Sequence, residues 1–381
     1  MPDLRLMIPG PVDVDDEVLA AIAEPTLPHY GAKWMPLFEA TTDLLKRLFE
    51  TEGDVLMIPG PGSGALEAGI ASLVPAGEGI CIPENGFFGF RTIQIAEACG
   101  IHPWTLTFPV GEFIDPARLR AFLKETLPLA NAEGHPVRAI ALVHHETSTG
   151  ILNPLREIAE VAHEFNLLLI VDAVASFGGV PIRVDAWGID ICISVPNKCL
   201  GAPPGVALMS VSKRAWETAE NNPCAHGWYL DLRTWAWYRT NWKDWHPYPT
   251  TLPTNNIVAL HRALEGIFSK GVEAHFASFA KASQVTREGL AEMGFSLFTN
   301  PAYAAPMISA INTRPDVNVS ELQRFLLDEH NIMISGGLGD LHGKIFRIGH
   351  MGRAKDAGYT SQLLDAIRAF LKAKGLPLHP A

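Results

Sequence analysis

The chain has 381 residues, with 30 Lys+Arg against 41 Asp+Glu and a formal charge of −11. Hydrophobic residues make up 48%, enough for a large core, and charged residues only 19%, which excludes wholesale disorder. The acidic balance argues against nucleic acid or an anionic membrane as the main partner, while leaving room for a local basic pocket.

The length fits two or three domains, or one large domain with an appendage. The five cysteines are Cys81, Cys99, Cys192, Cys199 and Cys224; the number is odd and no C-x-x-C pair occurs. That pattern predicts buried thiols in a reduced compartment, not a disulfide framework or a zinc site. Pro2, Pro9 and Pro11 break the N-terminus, which makes a poor signal peptide. No run reaches the roughly 18–20 apolar residues that a membrane helix needs. A cytoplasmic protein is the expectation.

Taken in chain order, the first clear element is an apolar strand at Val55–Ile58. It runs into Gly60-Pro61-Gly62-Ser63-Gly64 and then a helical pattern, ALEAGIASL. Small residues at a strand-to-helix turn let backbone N–H groups approach a phosphate, and Ser63 adds a hydroxyl. The same composition also makes an ordinary turn, and it is not a nucleotide P-loop. Next come a strand at Ala139–Val143, a helix over Pro154–Asn166 and a strand at Leu167–Val171 that ends on Asp172. Another strand is expected at Ile189–Val195. This alternation predicts an α/β fold with a mainly parallel sheet, whose ligands bind outside the carboxyl ends of the strands. A helix is expected over Leu252–Phe268. Helices at Glu273–Met293 and Ser361–Lys374 then mix with short strands at Pro306–Asn312 and Ile345–Ile348. The predicted division is an N-terminal arm over 1–16, a large domain over 17–268 and a smaller α+β domain over 269–381.

Three polar signals follow predicted strands. They are His144-His145-Glu146-Thr147-Ser148-Thr149-Gly150, then Asp172 in VDAVASFGG, then Asn197-Lys198 in PNKCLGAPPG. Asp172 and Lys198 are 26 residues apart, one strand–helix–strand step, so both can face one crevice. A carboxylate and a lysine there fit a structural ion pair or a turn cap. They also fit a pyridoxal phosphate site, in which the lysine forms a Schiff base and the carboxylate keeps the ring nitrogen protonated. The adjacent His144 and His145 lack metal-ligand spacing, and no metal is expected. The stretch from Trp228 to Trp245 holds five of the nine tryptophans. With an acidic chain, a subunit interface or active-site cover is the better reading than a nucleic-acid platform.

The combination resembles the class V (fold type I) aminotransferases. It resembles in particular the alanine–glyoxylate and serine–pyruvate/glyoxylate group and its relative pyridoxamine–pyruvate aminotransferase. The resemblance runs through IPGPV, PGSGALEA, ENGFFGFR, HHETSTGILNPL, VDAVASFGG, PNKCLGAPPG, YPTTLP and FRIGHMG, nearly the whole chain. It implies pyridoxal 5'-phosphate as cofactor, a seven-stranded-type sheet in the large domain, and ping-pong transfer from a small amino acid to a 2-oxo acid such as glyoxylate or pyruvate. In it Lys198 matches the Schiff-base lysine, Asp172 the ring-nitrogen partner, and Val174 and Phe88 the two faces around the ring. Thr147 matches a hydroxyl near the ring oxygen. Gly62, Ser63, Gly64 and Asn197 match the phosphate-holding positions. Tyr248 and Thr251 match residues that reach the phosphate from a partner subunit, which implies at least a homodimer. Arg347 matches the clamp for the substrate carboxylate, a planar guanidinium giving two parallel bonds. His29 and Tyr30 lie in a region that approaches the site in relatives. The chain departs from the pyridoxamine–pyruvate enzymes at Pro61, where they carry an acid, and at Leu338, where they carry an arginine. Both departures favour an enzyme that retains its cofactor. A cysteine desulfurase is disfavoured, because that family places its reactive cysteine in the C-terminal domain and all five here precede residue 225.

Overall fold

The computed structural model describes residues 4–224, 226–243 and 245–378. A seven-stranded sheet dominates it, in the spatial order 54–59, 206–211, 191–194, 168–172, 137–143, 79–84 and 102–107. The strand Val206–Val211 pairs antiparallel with both its neighbours. The remaining pairings are parallel, so the sheet is mainly parallel. Leu168–Val171 and all of Val206–Val211 are buried. Burial of successive residues means that both sheet faces are covered, as the unbroken apolar runs require.

The helices follow local signals. Leu155–Glu164 buries Leu155, Ile158, Ala159, Val161 and Ala162 on one stripe. Asn166, in the left-handed region at φ 54°, stops it two residues short of the predicted end. The helix Thr254–Lys270 meets the helix Val272–Ala291 at Gly271, whose φ of 90° suits glycine.

Two main cores result. One spans Val18 to Ile267 and encloses the large sheet. The other joins Met7 to residues between Leu290 and Leu371. It packs a four-stranded antiparallel sheet, ordered 296–297, 308–312, 345–349 and 335–336, against the helices Val319–His330 and Ala357–Ala373. Arg5–Leu6 pairs in parallel with Ile332–Met333, so the N-terminal arm lies against this second unit. Among the described residues, no helix is long and apolar enough to cross a membrane.

Candidate active site

The carboxyl ends of the strands open on a cavity of about 380 Å³. Asp172 enters it as the last residue of the central strand Leu168–Asp172, and Val174 two residues later. The strand Asp54–Pro59 delivers Gly62 and Ser63 at the first turn of the helix Gly62–Leu73. Phe88 lies at the start of the helix Phe87–Ala98. Asn197 and Lys198 come from the loop between the strands Ile191–Ser194 and Val206–Val211. Residues far apart in the chain therefore share one cleft because strand ends share one sheet edge.

The charges in this cleft are tuned toward neutrality. Desolvation raises the Asp172 pKa to about 6. The Val174 N–H, which donates to Asp172 Oδ1 at 2.9 Å, opposes that rise. Glu146 pushes it further up, and Lys198 and Arg91 pull it down. Desolvation lowers the Lys198 pKa to about 8, against the pull of Cys199 and Asp172 and with the help of Arg347. A lysine poised there is a far better nucleophile near neutral pH than a solvated one. Its ammonium Nζ donates to the Pro9 carbonyl. Gly10 has a φ of 126°, which favours glycine, and a Cβ there would stand 2.5 Å from that Nζ and displace the lysine tip. A Cβ on Gly62 would likewise meet Val174 Cγ2 at 2.7 Å.

Arg347 arrives from the second unit, on the strand Ile345–Gly349. It is 5% exposed. Its Nε donates to the Gly336 carbonyl at 2.9 Å and its Nη1 to the Thr147 carbonyl at 3.0 Å. Nη2 has no partner among the described residues. Desolvation lowers its pKa to about 10, and Glu146 counters this.

The other predicted residues sit differently. Thr147 is buried outside the cavity lining, and its backbone, not its hydroxyl, touches Arg347. Gly64 is in the first turn of its helix and does not line the cavity. Tyr248 lines a separate cavity with Phe38, Asp54 and Trp235. Its hydroxyl donates to the His29 carbonyl and accepts from Trp34 Nε1 at 2.6 Å. Thr251 is exposed. Within one chain, then, Tyr248 and Thr251 do not reach this cleft. Tyr30 lies against Trp245 at a tilt of 56°, with ring centroids 5.8 Å apart. His144 bonds Ser176 Oγ at 3.0 Å and His145 bonds the Ala175 carbonyl at 3.0 Å.

The roles of three contributors escape sequence reasoning. Glu146 is fully buried and accepts from the N–H groups of Phe88, Gly89 and Ser148 at 2.9, 3.2 and 3.0 Å. It thereby caps the helix that carries Phe88. Arg91, one turn later, lies 4.8 Å from the Phe88 ring centroid and lines the cavity. Gly10 makes room for Lys198. The signals available were an acid inside a predicted strand end, an arginine three residues after Phe88, and a glycine between prolines. None of them says what it will face.

The residues present fit pyridoxal phosphate. A carboxylate and an amine face one cleft, an aromatic ring and Val174 line it, and a glycine-rich helix start offers the unpaired N–H groups that every helix N-terminus leaves. Pro61, not an acid, stands at that start.

Comparisons with known proteins agree. The class-V aminotransferase family model matches residues 124–348. An uncharacterised aminotransferase of Methanocaldococcus jannaschii is 35% identical over 91% of this chain and 87% of its own length. The pyridoxamine–pyruvate transaminase of Mesorhizobium japonicum is 30% identical over 97% and 92%. Among solved structures, the alanine–glyoxylate aminotransferase of Nostoc superimposes with a TM-score of 0.90 at 33% identity, covering 97% of this chain and 96% of that one. The chain belongs to the class-V aminotransferase family and is a pyridoxal-phosphate-dependent transaminase.

Proposed function

We propose that the enzyme moves an amino group from a small amino acid of the alanine or serine type to a 2-oxo acid such as glyoxylate or pyruvate. The choice of a small donor and glyoxylate follows relatives named alanine–glyoxylate aminotransferase. The observation that supports an α-carboxylate substrate is Arg347, a buried guanidinium with Nη2 unengaged whose charge helps to lower the Lys198 pKa. It binds the α-carboxylate and so sets the plane in which the α-carbon is presented. Bound in the cleft, pyridoxal phosphate supplies an electron sink for charge developing at that carbon and carries the amino group between half-reactions. Asp172 holds the ring nitrogen in its protonated form. Gly62, Ser63 and Asn197 hold the phosphate. Val174 and Phe88 confine the ring. Lys198 would anchor the cofactor and would hold and move the proton at the substrate α-carbon; a pKa of about 8 suits it to both roles.

The functional unit is a homodimer in this reading. Trp228, Trp237 and Trp245 are 56%, 51% and 50% exposed, a concentration of aromatic surface that favours burial against a second copy. Thr251, exposed in the adjoining segment, would reach the partner's phosphate site directly, and Tyr248, 1% exposed with its hydroxyl engaged by His29 and Trp34, would reach it only if that packing opens on dimerisation.

A half-reaction screen tests the substrate. Each amino acid is mixed with holoenzyme and loss of its visible absorption is followed, with free pyridoxamine plus pyruvate included. Fast bleaching by alanine or serine supports the reading. Turnover of free pyridoxamine instead, with neither amino acid bleaching the enzyme, would replace it with the vitamin-transaminating reaction. Lys198→Ala is expected to remove the visible absorption and the turnover together.

A further inference from the structure

Glu67, Cys99 and His226 lie outside the lining of the cofactor cavity and come from three separate elements. Glu67 is on the helix Gly62–Leu73, Cys99 is the C-cap of the helix Phe87–Ala98, and His226 precedes the helix Leu232–Asn241. One carboxylate oxygen, the sulfur and one ring nitrogen all lie within 4.8 Å of one another. His226 Nε2 and Glu67 Oε1 are 2.8 Å apart. All three residues are partly buried.

Zinc binds carboxylate, imidazole and thiolate at about 2.0–2.3 Å, so its tetrahedral ligands stand roughly 3–4 Å from one another. To hold such an ion the Glu67–His226 edge, now 2.8 Å, opens by about 0.5 Å, and no other edge, all being within 4.8 Å, closes by more than about 1 Å. We propose that Glu67, Cys99 and His226 form a binding site for a zinc-class divalent cation, with water in the open fourth position. The soft sulfur and the imidazole favour that class over magnesium or calcium, which take oxygen ligands. Desolvation, with Glu67, raises the Cys99 pKa to about 11, so the thiol is protonated and coordination releases its proton to solvent. Glu67 lies one turn beyond Ser63, and Cys99 ends the helix that begins beside Phe88. The ion therefore ties together two helices whose first turns both line the cofactor cavity. Spacing along the chain gives no hint of this, because the three ligands are 32 and 127 residues apart.

The test uses holoenzyme dialysed against chelator and titrated with cobalt(II), whose tetrahedral thiolate complexes absorb at longer wavelength than the cofactor. The expected result is one cobalt per chain, displaced by zinc. Cys99→Ser should abolish the absorption, and Cys224→Ser should leave it intact. His226→Ala should weaken affinity at least about tenfold, since even an outer partner of a metal site is worth that much. Absence of the cobalt absorption at millimolar metal, or its survival in Cys99→Ser, would overturn the site. Zinc retention by the unmodified holoenzyme, measured against a chelating dye, gives a readout independent of how the variants fold. No retained zinc would also overturn it.

Discussion

At Asp172 the cleft holds a carboxylate whose ionisation is disfavoured until a cation joins it. Its pKa of about 6 lies above the ordinary 3.8, so stability present in acid is lost as pH rises through that window. For Lys198 the sense reverses: its pKa of about 8 lies below 10.5, and stability is lost as pH falls from 10.5 to 8. Between pH 6 and 8 the cofactor-free protein bears both costs, and a protonated ring nitrogen beside Asp172 relieves the first. Asp172→Asn is therefore expected to raise the melting temperature of the cofactor-free protein at pH 7, with the gain shrinking toward pH 4, while weakening cofactor retention. Calorimetry across that range decides it; a gain independent of pH would remove the carboxylate's charge as its cause. Arg347 makes the other residue-scale prediction. Truncating one partner of a buried charge pair costs about 2–5 kcal/mol, so Arg347→Ala should raise KM for amino-acid substrates by at least about 30-fold. An unchanged KM would take Arg347 out of substrate binding.

Elements act here mainly through their ends. The apolar run Leu168–Val171 ends at Asp172, and the glycine-rich turn opens the helix Gly62–Leu73, so both were legible as chemistry at a strand end. Glu146 was not, because the N–H groups that donate to it belong to a helix start some 58 residues earlier. Gly10 belongs to this scale as well, since the arm it sits on passes against the lysine loop. Gly10→Ala places a methyl group 2.5 Å from Lys198 Nζ at a φ of 126°, where side chains are strained. The expected outcome is loss or slowing of the visible absorption on adding cofactor, with far-UV circular dichroism unchanged. Normal cofactor uptake would show that the arm yields at no cost to Lys198.

For the whole molecule the decisive geometry is the meeting of two cores. The smaller unit supplies Arg347, and the bond from Nη1 to the Thr147 carbonyl docks that side chain on the large one. The proposed dimer extends the same logic to a second chain, which would bring Tyr248 and Thr251 to the cleft. Sedimentation equilibrium should give twice the chain mass of 41.5 kDa. Trp237→Glu should shift the protein toward monomer and lower its hold on the cofactor together. A wild-type enzyme that is monomeric and fully active would leave no role for a shared site.

Local order was determined by the sequence itself. The apolar runs, helical stripes and turn residues announce alternating strands and helices, because periodicity and backbone preference act over a few neighbours. They also place Asp172 at a strand end and Lys198 in the loop that follows a strand. Only the tertiary structure decided that Glu146 caps the Phe88 helix, that Thr147 serves Arg347 through its backbone, and that Glu67, Cys99 and His226 converge. Each of those depends on where distant segments pass one another. That path is set by packing two cores together, which no local pattern encodes.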